Sequence, residues 1–280
     1  MLLSGKPVSK AIDNETEKSV RILNSKGIFP TLAIIRIGEK PDDLAYERMI
    51  KKRGEKLGIE VITKAVPADA SQFDFETALR TANFDREIHG IILMRPFPNH
   101  INEEKICSML SPEKDIDGVT ATSIAHVFRR YGPGFPPCTA EACLKVLKYY
   151  DIDLTGKNVV VAGRSLVIGK PVALLLTNDN ATVTVCHSKT RNSAEICSKA
   201  DILITAIGKP GYFTKEYLNP GMTVIDVGIN ITENGITGDL NSNDAQSLGC
   251  SYTPVPGGIG SVTSSLLLAH TAKAAFNSIK

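Results

Sequence analysis

Gly163, Arg164, Ser165 and Gly169 stand where an apolar run gives way to a helix-favouring stretch, and residues of these types at such a junction bind phosphate. The run Asn158-Val-Val-Val-Ala162 is apolar and β-branched enough for a strand buried on both faces, and Gly169 to Thr177, with Pro171 in the first turn, favours a helix. Backbone N–H groups and the positive end of the helix dipole then converge on an anion. The spacing departs from the usual dinucleotide fingerprint, with Ser165 in place of the second glycine and Gly169 one residue late. The stretch Cys186-His-Ser-Lys-Thr-Arg191 indicates which dinucleotide. An NAD ribose calls for Asp or Glu at the end of the second strand. Here no acid occurs, and Arg164, Ser188, Lys189 and Arg191 offer donors and charge suited to a 2′-phosphate. NADP is the expected cofactor; the plainer reading of these residues taken alone is a solvated basic turn.

The elements around this turn agree with it. Thr182–Cys186, Ala200–Ala206 and Met222–Val227 read as further strands separated by helical or turn-rich segments. Repeated strand and crossover units make a doubly wound parallel sheet of Rossmann-like type, with ligands at its carboxyl edge. The first half predicts a second α/β unit of three layers. A helix from Val8 to Lys26 is followed by strands at Thr31–Ile37, Ile59–Ala65 and Gly90–Met94, with helices at Asp42–Leu57 and near Phe73–Asn83 between them. It has no glycine-rich phosphate turn and is the candidate substrate domain. From Ser111 to Cys138 the chain is polar and turn-rich, which places the boundary near Pro136–Thr139. The expected domains are residues 1–138, with 264–280 returning to them as a C-terminal helix, and residues 139–263. Thr253-Pro-Val-Pro-Gly-Gly-Ile-Gly260 reads as a rigid loop before a helix from Val262 to Ile279.

A length of 280 residues suits two domains, and 42% hydrophobic against 22% charged residues suits globular ones. A net charge of +2 gives no electrostatic reason for a nucleic-acid or membrane partner. Six scattered cysteines without a CxxC pair are expected as reduced buried thiols in a cytoplasmic interior. The start, Met1-Leu-Leu-Ser-Gly-Lys-Pro7, holds too short an apolar segment for a signal peptide, and no membrane-spanning run occurs. His89, His100, His126, His187 and His270 form no HxxxH or HxH pair, so no metal site is expected.

Several segments, in order across nearly the whole chain, together resemble the methylenetetrahydrofolate dehydrogenase/cyclohydrolase (FolD) family. They are Gly38-Glu-Lys-Pro41 leading to Tyr46, Pro112-Glu-Lys-Asp-Ile-Asp-Gly118, Pro137-Cys-Thr139, Gly163-Arg-Ser165 with Gly169-Lys-Pro171, His187-Ser-Lys-Thr190, Ile225-Asp-Val-Gly-Ile-Asn230 and Pro254-Val-Pro-Gly-Gly258. The resemblance accounts for the odd spacing of the phosphate turn, since the family replaces the second glycine with Ser. It implies a homodimeric, cytoplasmic enzyme of one-carbon metabolism acting on tetrahydrofolate derivatives in a cleft between two domains. It further implies NADP-dependent oxidation of 5,10-methylenetetrahydrofolate and hydration of the methenyl product to 10-formyltetrahydrofolate.

Carried over by residue, Tyr46 resembles the tyrosine that packs on the folate and borders the reacting centre; on spacing alone it reads as a core tyrosine. Asp117 resembles the carboxylate that anchors the pterin, and is equally part of an Asp-Gly turn. Thr139, Gly163, Arg164, Ser165, Ser188, Gly228, Ile229 and Thr263 resemble the NADP contacts, and Pro256 and Gly257 folate contacts. Two positions depart. The family's proton-handling lysine, four residues after the tyrosine, is Ile50, and the glutamine that tunes it is Met94. Neither side chain donates or accepts a proton, and such assistance is typically worth about 10²–10⁴ in rate. Lys51 should point away from the folate, Arg53 makes a poor base, and strand alternation aims Arg95 opposite to Met94. The expectation is a dehydrogenase whose cyclohydrolase activity is weak or absent. The ordinary bifunctional enzyme and a catalytically inactive folate- and nucleotide-binding scaffold are the rival readings. Ser261 also departs, standing where the family usually has Pro.

Overall fold

Val8, Val20 and Leu23 give α1 (Gly5–Ser25) a buried apolar stripe, and the chain turns into β1 (Thr31–Ile37), whose seven residues are all buried. Pro41 opens α2 (Pro41–Leu57). Gly58 closes it in the left-handed region at φ 72°, where its N–H reaches Glu55 O and that of Ile59 reaches Gly54 O. After β2 (Glu60–Val66), Ser71 and Asp74 form a reciprocal cap on α3 (Gln72–Phe84), which leads to β3 (Gly90–Leu93). The strands are parallel in the order β2-β1-β3, with Ile34 opposite both Thr63 and Ile92. One core packs Ile35, Leu79, Ile91 and Leu93 around Phe75 and Phe97, whose rings meet edge-on at 4.9 Å.

The polar stretch expected as turns contains a helix. Past α4 (Glu103–Met109), Asp115 is fully buried and accepts from the N–H groups of Val119 and Thr120 at 2.9 and 2.8 Å, and from Ser123 Oγ at 2.6 Å. These bonds gather the turn, and Thr120 caps α5 (Ala121–Arg129) by accepting from the Ser123 N–H.

The structure describes residues 1–233 and 235–279, and the chain divides into two units. One is Ala11–Cys138 with Ser264–Lys280, the other Met1–Lys10 with Thr139–Thr263. In the latter, α6 (Cys138–Tyr149) precedes β4 (Asn158–Ala162), α7 (Gly169–Asn178), β5 (Thr182–Cys186), α8 (Ser193–Ser198), β6 (Ile202–Thr205) and β7 (Thr223–Asp226). A hairpin of β8 (Asn230–Thr232) and β9 (Gly235–Thr237), then α9 (Ser242–Ser247) and β10 (Ser251–Tyr252), complete it. The sheet is parallel in the order β10-β7-β6-β4-β5, so the winding reverses between β4 and β6, where α/β proteins bind ligands. Leu2 bridges Tyr252 beside β10, which ties the first residues to this unit.

The final helix, α10 (Ile259–Asn277), starts earlier than Val262. Gly258 O accepts from the Ser261 N–H at 3.3 Å and from Ser261 Oγ at 2.7 Å, so this serine closes the first turn and Gly260 lies inside the helix. Among the described residues no helix is long and apolar enough to cross a membrane.

Candidate functional site

The turn after β4 is built by two glycines in contact. A Cβ on Gly169 would meet Gly163 O at 2.2 Å, and one on Gly163, at φ 135°, would meet Ala206 O at 2.4 Å. Between them Ser165 Oγ accepts from the Ile168 N–H at 3.1 Å, and Lys170 N–H bonds to Ser165 O at 3.0 Å. The wide spacing is thus one extra residue in the turn that folds onto the helix start, with Ser165 as its brace. Arg164 remains exposed at the rim of a pocket of about 390 Å³ at the carboxyl ends of β4, β5 and β6.

Arg164 and Ser188 line that pocket; Lys189 and Arg191 lie off its wall. The β5 exit is rigid. His187 N–H donates to Thr190 Oγ1 at 2.9 Å, and Lys189 N–H to His187 Nδ1 at 3.1 Å. Sequence reasoning missed Lys209, which lines the pocket and sits 5.3 Å from the ring centre of Tyr212. Its only sequence signal is a place just past a strand at the winding reversal. Fully buried Asp239 sets its loop, accepting from the N–H groups of Ile207, Gly208 and Lys209 at 2.7, 3.0 and 2.8 Å. Asp226 in turn accepts from the N–H groups of Gly228, Asp239 and Leu240 at 3.0–3.1 Å. Burial pushes its carboxyl upward, and those backbone bonds oppose the shift. In the same unit Ile229 is exposed, Thr139 and Thr263 are half-buried, and Gly257 O accepts from the Gly5 N–H at 2.8 Å beside exposed Pro256.

The other unit brings Tyr46, Asp117, Cys138 and His270 together. Burial raises the Tyr46 phenol, and the negative charges of Asp117 and Cys138 raise it further. Burial likewise lifts Asp117 to about 6; Arg95 and His270 pull it down while Asp115 pushes it up. Cys138 Sγ and His270 Nδ1 both lie on Ile116 O, at 3.1 and 2.8 Å, and the imidazole stacks on Phe135 at 4.8 Å. The loop carrying Asp117 is therefore held from below by Asp115 and from the side by α10.

Ile50 and Met94 are 1% and 5% exposed. The neighbouring cations are engaged elsewhere. Lys51 Nζ donates to Glu47 Oε1 at 2.7 Å, Arg53 to Asp13 and Ser264, and Arg95 to Glu103 at 3.0 Å. Burial opposes ionisation of Glu47, yet hydrogen bonds from Lys51, Thr63 and Arg36 hold it near about 2.

Residues 3–117 match the family model described as tetrahydrofolate dehydrogenase/cyclohydrolase, catalytic domain, and residues 137–279 match its NAD(P)-binding domain. The chain is 46% identical over 275 residues to the bifunctional protein FolD of Carboxydothermus hydrogenoformans, covering 97% of this chain and 96% of the relative. The bifunctional FolD structure from Campylobacter jejuni superposes with a TM-score of 0.96 at 36% identity, covering 99% of each chain. The Trypanosoma brucei methylenetetrahydrofolate dehydrogenase-cyclohydrolase, complexed with NADP and an inhibitor, gives 0.92 at 33% identity over 100% of this chain and 98% of its own. With both halves matched in order and a doubly wound NAD(P)-binding unit in place, the chain belongs to the tetrahydrofolate dehydrogenase/cyclohydrolase family.

Proposed function

We propose that the chain oxidises 5,10-methylenetetrahydrofolate to 5,10-methenyltetrahydrofolate with NADP as hydride acceptor, and that hydration to 10-formyltetrahydrofolate is its second activity. The unit of residues 11–138 with 264–280 serves the folate, and the unit of residues 139–263, to which residues 1–10 attach rather than to the folate unit, serves the cofactor. The observation that carries the NADP reading is the pocket after β4, which offers Arg164, Ser188 and Lys209 and has no carboxylate among its lining residues. Cations without a competing acid suit a 2′-phosphate and reject nothing that NADP carries. Bound NADP supplies the hydride acceptor, and the chain's part is to orient and to exclude water. Gly163, Ser165, Gly228, Ile229, Thr139 and Thr263 shape the cofactor's seat. Asp117 accepts from the pterin's adjacent N–H donors, Tyr46 packs on the folate beside the one-carbon bridge, and Pro256 and Gly257 complete the folate contacts.

The curated relatives are named bifunctional, and similar solved structures are named for both activities, which favours the bifunctional reading. A narrower second reading, a weak or absent cyclohydrolase, is favoured by Ile50 and Met94. Both are buried where the family places its proton-handling pair, and Lys51 and Arg53 are tied to Glu47 and Asp13. Assembly as a homodimer and residence in the reducing cytoplasm, which suits six unbridged cysteines, belong to the same proposal. The test is to supply methylenetetrahydrofolate with NADP or NAD, follow reduced nicotinamide, and then follow enzyme-dependent decay of the methenyl product. We expect NADP to be preferred by at least about tenfold, the worth of one good charged contact. Absence of turnover with either cofactor would leave the scaffold reading. Methenyl decay at a rate comparable with oxidation establishes the bifunctional enzyme, and decay at the uncatalysed rate the narrower one.

A further inference from the structure

α10 carries an imidazole that neither the hydride transfer nor the cofactor pocket uses. His270 is 5% exposed and stacks on Phe135, and its Nδ1 lies 2.8 Å from the carbonyl oxygen of Ile116, the residue before Asp117. A carbonyl oxygen only accepts, so Nδ1 carries the proton of that bond, in the neutral ring and in the cation alike. The ring nitrogen therefore does not accept from Cys138, whose Sγ lies 3.4 Å away.

The fully buried Cys138 thus has one thiol proton for two acceptors. Ile116 O lies 3.1 Å from its Sγ, and the Asp117 carboxyl also hydrogen-bonds to it. The imidazole already serves Ile116 O at the shorter distance, and an ionised carboxylate is the stronger acceptor, so the proton goes to Asp117. Without the imidazole that carbonyl would lose its shorter bond. A carbonyl left unmatched in the interior is costly, so the thiol would turn to it and away from the carboxylate. The other titratable groups around the cluster are Tyr46 of α2, Asp115 of the same loop, Arg95 after β3 and, on α10 itself, Lys273, whose Nζ lies 5.8 Å from the Phe135 ring centre. A histidine that only packed α10 against the loop would need the stack on Phe135 and not the aimed N–H.

We infer that His270 is a positioning residue for folate binding: by holding Ile116 O it turns the Cys138 thiol onto Asp117 and keeps that carboxylate ionised for the pterin. The inference rests on the folate reading of Asp117 given above. The experiment measures the folate KM from about pH 5.5 to about pH 8.5 in the wild type, His270→Phe, His270→Asn, Cys138→Ala and the His270→Phe/Cys138→Ala double variant. Phe keeps the ring stack and removes the N–H. The pH below which KM climbs should then move up by about one unit, the worth of one hydrogen bond to a charged group. That shift reads as a KM about fivefold higher near pH 6 and less than about 1.5-fold higher near pH 8.5, where Asp117 is ionised throughout. Cys138→Ala should move the limb the same way, and the double variant no further than the larger single change, since both act through one thiol. Asn, whose amide can donate from the place of Nδ1, should restore at least about half of the shift. The ratio of KM at the two ends of the range, taken within each protein, cancels any general loss of folding. A wild-type limb that neither His270→Phe nor Cys138→Ala moves by more than about 0.3 pH unit would overturn the inference, as would a KM raised equally at every pH or shifts that add in the double variant. A wild-type KM with no limb near about pH 6 would instead overturn the folate reading of Asp117, and this inference with it.

Discussion

Asp117 combines two opposed demands. Under the proposed function it accepts from the pterin and must be ionised, yet its surroundings hold it near about 6, so folding disfavours the charged form. The sign of the stability effect follows. The cost is absent below the unfolded carboxyl's value near about 4, grows as pH rises toward about 6, and is constant above it. Asp117→Asn should therefore stabilise the protein by about 1–3 kcal/mol at pH 8 and by nothing at pH 4, as read by denaturant unfolding at the two pH values. The same variant should raise the folate KM by about tenfold or more. In the wild type that KM should climb roughly tenfold for each pH unit below about 6. A pH-independent KM would remove Asp117 from the site. At Ile50 and Met94, Ile50→Lys with Met94→Gln restores a proton-handling pair. Under the narrower reading it should speed methenyl hydration by about 10²-fold or more, while burying an amine at a site 1% exposed lowers stability by several kcal/mol. If the double variant hydrates no faster than the parent, the missing pair is not what limits that step.

Elements with local signals were legible in the sequence: β4 and β1 as unbroken apolar runs, α2 between Pro41 and Gly58, α7 from its glycine turn. Those whose cause lies far along the chain were not. α5 looks like a turn because it is only 9 residues long and is set between the Pro112 turn and Gly132-Pro-Gly134, and its organiser, Asp115, is buried by packing rather than marked by spacing. Of the basic residues after β4 and β5, sequence could name the donors but could not tell that Arg164 and Ser188 reach the pocket while Lys189 and Arg191 do not. Lys209 escaped because the carboxylate that aims its loop is thirty residues away. That loop gives a prediction at this scale. Asn in place of Asp239 sets an amide donor against N–H groups that now meet a carboxylate oxygen, and a buried donor left unmatched costs about 1–3 kcal/mol. Asp239→Asn should raise the NADP KM by about tenfold, with kcat changed far less, and should lower the melting temperature. An equal fall in kcat at unchanged KM would place Asp239 in the chemistry instead.

The first residues of the chain cluster with its second half, and no local pattern in Met1–Pro7 announces this. Leu3 is fully buried, its N–H bonds to Tyr252 O at 2.7 Å, Ser4 O accepts from Tyr150 Oη at 2.9 Å, and Gly5 N–H reaches Gly257 O. A segment that sequence assigns to the first domain is thus an added edge beside β10 in the second unit, and it braces the loop that carries Pro256 and Gly257. Removing the apolar anchor should be felt across the unit. Leu3→Ala deletes a fully buried side chain, a change worth about 2–5 kcal/mol, which lowers the melting temperature of a chain this size by about 5–15 °C. Leu2→Ala, at a residue 53% exposed, should shift it by less than about 2 °C. Because the Gly5 N–H bond to Gly257 O links this segment to the Pro256–Gly257 loop, the Leu3 variant should raise the folate KM modestly, and an excluded osmolyte such as sucrose should recover it by favouring the compact state. Equal melting shifts for the two leucines would mean that the N-terminal edge contributes nothing to the unit it lies against.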